Sequence, residues 1–268
     1  LIYPEYHRSV GAKLYNALVS ASAKGASHIL ADSNTSKYDI VSRLEIPEED
    51  VTTVYLAPAP GYSPDGDFLV DMAIQQKYNL PDFYTLYFGG FTLHKNVHTM
   101  LLAFTYVNKG LGDDHKLVLG GEKPTKVGPN SLDYVKYIKD LGLEEHVVWI
   151  GLVEEADKPV IYREALNFVF PSKYEGFGLP PLEAMASGVP VVATDSPGVS
   201  EVVGNAAAAP DADDERQMGG AMIATAHQES YRQDLIEKGK IRVAEFSWEK
   251  TVGQTVAVYA QTVDKMGG

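Results

Sequence analysis

No cysteine occurs anywhere in the chain, which excludes disulfides, thiolate metal sites and cysteine nucleophiles. No run approaches the roughly 20 apolar residues that a membrane-spanning helix needs. The opening residues, LIYPEYHRSV, carry neither the basic segment nor the apolar core of a secretory leader. Positive charge is scarce: 23 Lys and Arg against 36 Asp and Glu leave a net charge of −13. With no long basic run to offset it, such a chain repels nucleic-acid backbones, and a phosphate ligand needs a local cation or a helix terminus. The dinucleotide string Gly-x-Gly-x-x-Gly, the P-loop string and the Gly-x-Ser-x-Gly elbow are missing too. No His/Asp/Glu cluster has metal-ligand spacing, and there is no internal repeat or low-complexity tract.

What is present reads as a soluble globular protein: 45% apolar and 22% charged residues over 268 positions, enough for one large domain or two small ones. The chain begins at Leu1 rather than methionine and is expected to be a piece of a longer protein. Short apolar runs alternate with amphipathic stretches. Strands are expected at His28–Ala31, Val51–Leu56, Tyr84–Phe88, Lys116–Leu119, Val147–Ile150, Asn167–Phe170, Val189–Ala193 and Ala206–Ala209. Helices are expected at Ser36–Leu44, Val97–Val107, Ser131–Leu141, Lys158–Glu164, Pro181–Ala186 and Glu215–Ala226, and Ser247 caps a last amphipathic stretch, Phe246–Val263. Runs such as VVWI and VVAT do not alternate, as in strands buried on both faces. The fold class is therefore α/β, a parallel sheet with helices on both sides. The rhythm breaks at Pro58–Pro81, where APAPGYSPDGD reads as a linker or an excursion, and a domain boundary is expected near Pro81.

The segment richest in chemistry is Pro171–Val192, PSKYEGFGLPPLEAMASGVPVV. A strand ends at Phe170, Gly176 and Gly178 flank Phe177, and a helix opens near Pro180 or Pro181. Ligands of open α/β sheets bind at the carboxyl ends of strands, and anions bind at helix N-termini. Glycines there let backbone N–H groups approach a phosphate or sugar. Glu175 precedes the loop and Glu183 follows eight residues later, so two carboxylates bracket the helix start. A second segment, FGGFTLHKNV, runs from a strand through Gly89 and Gly90 to a helix near Asn96, which makes Lys95 a point charge beside a helix N-terminus. His94 next to it reads either as a solvated loop histidine or as a source of pH-dependent phosphate affinity. Asp65-Gly66-Asp67 has the form of a metal-binding D-x-D but lies in the linker and reads as a turn.

These strings together resemble the E-x7-E signature of the retaining glycosyltransferases built from two facing Rossmann-like domains, the GT-B architecture of family 4. The likeness extends from about Ala26 onward through ASHILADSNTSKYDIVSRL, YFGGFTLHKNVHTMLLAF and VVWIGLV. It implies one nearly complete donor domain, residues 81–245, after a remnant of the N-terminal acceptor-side domain with its linker, residues 1–80. A terminal helix, residues 246–268, crosses back. It further implies that Glu175 sits beside the donor sugar and Lys95 clamps the diphosphate, the two forming the catalytic pair. The amides of Gly176, Phe177, Gly178 and Leu179 face sugar and diphosphate, and Glu183 accepts both ribose hydroxyls. Gly89 and Gly90 belong to the donor loop, while Gly151, Leu152 and Val153 approach the nucleobase. Gly90 and His94 depart from the family, where arginine is frequent at both positions.

The implied reaction moves a hexosyl group, mannosyl or glucosyl, with retention, from a UDP- or GDP-linked donor to the hydroxyl of a sugar or glycolipid acceptor in polysaccharide or glycoconjugate synthesis. No metal or other cofactor and no nucleic acid is implied. The expected location is the cytoplasm, with the full-length enzyme peripheral to the inner membrane face, and these residues alone are expected to transfer poorly. A nucleotide-sugar epimerase and a non-catalytic nucleotide-sugar-binding module share the fold and stay open as alternatives.

Overall fold

A computed structural model describes residues 10–124, 128 and 131–267, with side chains as far as residue 265. Residues 1–9 and Gly268, part of the expected first and last segments, lie outside it. The chain divides into two compact units, Leu1–Ala57 with Phe246–Gly268, and Pro58–Glu245.

The first unit begins with α1 (Val10–Lys24), followed by β1 (Ile29–Ala31), α2 (Asn34–Leu44) and β2 (Val51–Thr53). The two strands pair in parallel with Ile29 opposite Val51, closing a β-α-β turn over Ala31, Ile46 and Val51. Ser33 starts α2 by accepting from the Ser36 amide at 2.8 Å, which satisfies an N–H that has no partner in the helix.

The second unit opens with α3 (Phe68–Tyr78) and continues through β3 (Phe83–Phe88), α4 (Val97–Leu111), β4 (His115–Gly120), α5 (Tyr134–Asp140), β5 (Val147–Gly151), α6 (Lys158–Arg163), β6 (Asn167–Phe170), α7 (Leu179–Ala186), β7 (Val191–Ala193), α8 (Val199–Val203), β8 (Ala207–Ala208), α9 (Glu215–His227) and α10 (Glu229–Val243). The six strands are all parallel, in the order β5-β4-β3-β6-β7-β8. That is the doubly wound nucleotide-binding order, and its topological switch point falls between β3 and β6. Leu86, Leu117, Leu119, Phe104, Phe168 and Met100 are fully buried between sheet and helices. Buried Asn167 joins β6 to α9 by donating to the Met222 carbonyl and the Thr225 hydroxyl, both at 2.8 Å.

The remaining helix, α11 (Trp248–Gly267), belongs to the first unit. Thr251 Oγ1 donates to the Tyr55 carbonyl at 2.6 Å, and Phe246 meets the Tyr55 ring edge-on at 5.7 Å. Ser247 accepts weakly from the Lys250 amide at 3.3 Å. Among the described residues no helix is long and apolar enough to cross a membrane.

Three sequence expectations shift. VVWI is half-buried beyond Val147, because β5 is the outermost strand on its side of the sheet, whereas β7 is buried throughout as expected. The compositional break at Pro58–Pro81 hides α3, and the unit boundary lies at Ala57–Pro58, upstream of Pro81. Polar chemistry explains α3: Asp67, the last residue of the D-x-D, accepts from the Leu69 and Val70 amides as its N-cap, and Asn79 ends it in the left-handed region. Across the interface to α6, Arg163 pairs with Asp71, and Gln75 donates to Glu164 at 2.6 Å. Lys77 Nζ and the Tyr78 hydroxyl converge on Asp157 at 2.7 and 2.8 Å.

Both partners of the Asp71–Arg163 pair are nearly buried, at 12% and 11% side-chain exposure, so removing one strands the other away from water. Asp71→Ala is therefore expected to lower stability by roughly 3 kcal/mol, read from urea unfolding. Replacing both partners with apolar residues of similar size should restore most of the loss.

Candidate functional site

The loops that leave β3 and β6 meet at the switch point. The Lys173 amide donates to the His94 carbonyl at 2.9 Å, joining the two segments through their backbones. Lys95 Nζ lies 2.6 Å from Glu175 Oε1, with the side chains 21% and 16% exposed, and 5.7 Å from the centre of the Phe170 ring. The two residues expected to form the catalytic pair are thus in direct contact, although 80 positions apart. A 3-10 turn, Leu93–Lys95, carries the lysine. Buried Asn96 follows in the left-handed region, donating to the Ala212 carbonyl at 2.7 Å and accepting from Thr99 Oγ1 at 2.8 Å, and so fixes where α4 starts.

Glycine has a steric reason at two further points. A Cβ on Gly198, whose φ is +80°, would stand 2.0 Å from the Glu175 carbonyl oxygen, so the β7–α8 turn can support the Glu175 loop only without a side chain. A Cβ on Gly121, with φ +130°, would stand 2.4 Å from the Gly89 carbonyl. That close approach lets the ends of β3 and β4 lie side by side, where the Gly89 amide donates to Gly120 at 3.2 Å and the Gly121 amide to Gly151 at 2.8 Å. Beside them, the Tyr87 hydroxyl donates to the Gly90 carbonyl at 2.6 Å.

A cavity of about 360 Å³ opens along these strand ends, a size suited to a small ligand. Of the expected donor residues, Gly89, Leu152, Val153 and Glu183 line it, joined by Gly120, Gly121, Glu122, Lys158 and Tyr162. Leu152 is 75% exposed, an apolar side chain held in the open at the cavity mouth. The lining does not include Lys95, Glu175, Gly90, Gly151 or the loop Gly176–Leu179. In that loop the Phe177 side chain is buried and serves the core, and Gly178 precedes α7 in a left-handed conformation. Helix α7 begins at Leu179, and Pro180 and Pro181 in its first turn carry no N–H. The amides available there are those of Leu179 and the loop before it.

Glu183 sits on α7 at 9% exposure. Tyr162 donates to its Oε2 at 2.9 Å. Burial pushes the Glu183 carboxyl up, while the Tyr162 hydroxyl, Lys158 and Tyr62 pull it back. Burial likewise raises Tyr162 and Tyr62, with the Glu183 charge adding to it, so both remain hydroxyl donors. His94 is half-buried rather than solvated, with Nδ1 3.2 Å from Thr92 Oγ1. Burial first, and then Lys95, lower its pKa, which favours the neutral imidazole. Three lysines of this neighbourhood each face a carboxylate: Lys95 with Glu175, Lys158 with Glu155, and Lys173 with Asp213. Tyr62, Tyr162, Lys158, Gly121 and Gly198 were not singled out from the sequence. The glycines that follow β4 and β7 were the available signal; nothing local marked the tyrosines.

A parallel sheet of six strands with helices between them, a cavity along its strand ends and an ion pair at its switch point, defines a doubly wound α/β protein. The model of the family described as glycosyl transferases group 1 matches residues 72–242, and the chain belongs to that family. It is 30% identical over 258 residues to O-antigen chain mannosyltransferase B of Escherichia coli, covering 96% of this chain and 66% of that protein. It is 29% identical over 208 residues to O-antigen chain mannosyltransferase RfbU of Salmonella typhimurium, covering 78% of this chain and 53% of that protein. The chain thus spans between half and two thirds of these relatives. Among solved structures, the HepE protein of Anabaena in complex with UDP-glucose superposes with a TM-score of 0.79 at 18% identity, covering 97% of this chain and 70% of that one. The shared fold is the GT-B type.

The raised Glu183 carboxyl has a measurable consequence. A group whose pKa is higher folded than unfolded binds its proton more tightly in the folded state, so ionising it costs stability. The loss begins as pH rises past the ordinary value of 4.5 and is complete above the raised folded value. Glu183→Gln removes this titration. Its unfolding free energy relative to the wild type is expected to climb with pH through that window and then level off, as measured by urea titrations at a series of pH values. A difference independent of pH would rule out a raised carboxyl.

Proposed function

We propose that the chain is the donor-binding part of a retaining glycosyltransferase that moves a hexosyl group from a UDP- or GDP-linked sugar to a hydroxyl of a growing polysaccharide or glycoconjugate. The observation that carries the reading is the meeting of Lys95 with Glu175 at the switch point, beside a cavity lined by Glu183. Family membership supports it, and the names of the two O-antigen relatives favour mannose as the sugar.

In this reading the nucleoside lies in the cavity, with the base against Leu152 and Val153 beside Gly151 and the ribose hydroxyls donating to Glu183. An ionised carboxylate offers two acceptor oxygens to two adjacent hydroxyl donors. The diphosphate lies by Gly89, Gly90 and Lys95, near the amides of Gly176, Phe177, Gly178 and Leu179. The bond from the anomeric carbon to the phosphate oxygen breaks, the acceptor oxygen bonds to the same face, and its proton passes to the leaving phosphate. Negative charge grows on that phosphate, so fixed cations and amides stabilise the transition state more than the ground state. Glu175 orients the sugar hydroxyls and steadies the positive charge developing on the ring. Binding needs no divalent metal. The acceptor is held chiefly by the part of the relatives that this chain does not span, at the cytoplasmic face of a membrane.

With EDTA present, calorimetry should detect binding of UDP or GDP. Glu183→Ala is expected to weaken it by roughly 1.5–3 kcal/mol, the loss of charge-assisted hydrogen bonds. Absence of heat for both nucleotides with folded protein would sink the donor-site reading. In the longer protein, Glu175→Ala should lower kcat while changing KM for the donor little.

A further inference from the structure

Glu183 is held from behind by a device that the donor reading does not use. Tyr162 rises from α6 with its ring fully buried, its centre 5.1 Å from that of Phe88, 5.2 Å from Phe168 and 5.7 Å from Tyr62. Packed on three sides, the ring cannot swing, so its hydroxyl is a fixed donor 2.9 Å from Glu183 Oε2. Tyr62, from the segment before α3, meets the Tyr162 ring edge-on and so packs it from the side of the same carboxylate. Both phenols stay protonated, so each keeps an O–H to donate.

An ionised carboxylate has about four lone-pair positions for hydrogen bonds. The Tyr162 hydroxyl takes one of them, and the others remain. That remainder matches a vicinal diol and exceeds what a single hydroxyl can use; a buried acceptor left without its donors is costly. Resting on the donor-site reading above, we propose that Tyr162 and Tyr62 are positioning residues that hold the Glu183 carboxylate so that its remaining acceptor positions select a sugar bearing both adjacent hydroxyls. The discrimination against deoxy forms then resides in Tyr162 of α6 as much as in Glu183. The same hydroxyls favour the ionised carboxylate against burial, so they extend ribose binding to lower pH.

The test uses the whole chain, calorimetry, UDP and GDP, and their 2′,3′-dideoxy counterparts. Tyr162→Phe keeps the packed ring and deletes only the hydroxyl. It is expected to weaken the ribonucleoside diphosphates roughly tenfold and the dideoxy forms hardly at all, shrinking the discrimination by the same factor. Its affinity should also begin to fall at a higher pH than that of the wild type as the solution is acidified. Tyr62→Phe, at a half-buried position, should act in the same direction but less, and it decides the matter if Tyr162→Phe does not fold. Unchanged discrimination, or equal weakening of ribo and dideoxy forms, overturns the positioning role while the donor site stands. Failure of the wild type to bind either diphosphate overturns the donor-site reading and this proposal with it.

Discussion

The reversal of strand order between β3 and β6 is the constraint from which the rest of the second unit follows. From β3 the sheet grows outward through β4 to β5; from β6 it grows the other way through β7 to β8. Successive crossovers therefore leave the two central strands in opposite directions, and their carboxyl ends stay uncovered by the chain that joins them. Into that crevice run the turn Leu93–Lys95 and the loop before α7, tied to each other by the Lys173 amide and the His94 carbonyl. Close backbone contact at Gly121 and Gly198 then keeps the neighbouring loops tight enough for the ion pair and the cavity to coexist.

Electrostatics on this scaffold is local. A chain of net charge −13 places the cations of its site opposite carboxylates, so Lys95, Lys158 and Lys173 are held in defined places rather than free to sweep the solvent. The prolines of α7 sharpen the same point. A helix N-terminus usually presents a fan of amides, but Pro180 and Pro181 remove two of them and concentrate the donors on Leu179 and the glycine loop. Glu183, two residues beyond the prolines, is buried deeply enough to need the hydroxyl of Tyr162 as compensation for lost water.

The first unit has less of its own to work with. Its two short strands close over Ala31, Ile46 and Val51, and α11 joins it from the far end of the chain through Thr251 and Phe246. Relatives that share the family are longer, the chain covering 66% of the first of them. The second unit, by contrast, contains the whole of its sheet, the cavity and the ion pair.

Much of this was legible in the residues, and for local reasons. Non-alternating runs such as Val191–Ala193 mark strands covered on both faces, and the spacing from Glu175 to Glu183 across a glycine loop marks a strand-to-helix turn with carboxylates at its entrance. The α/β class, the order of most elements and the candidate donor loops all rest on patterns within a few residues of one another. The Pro58–Pro81 stretch misled because its turn-rich first half masks a helix whose support is remote: α3 depends on Arg163 of α6 and on Asp157 and Glu164 at the two ends of that helix, as well as on its own Asp67 cap. Likewise VVWI carries no mark of lying at the sheet edge, since strand order is a property of the whole chain. That Lys95 meets Glu175, that His94 is half-buried beside a lysine, and that two tyrosines from distant segments meet one buried glutamate were decided only by tertiary structure. Hydrogen bonds and desolvation act between atoms a few ångströms apart, and only the fold brings those atoms together.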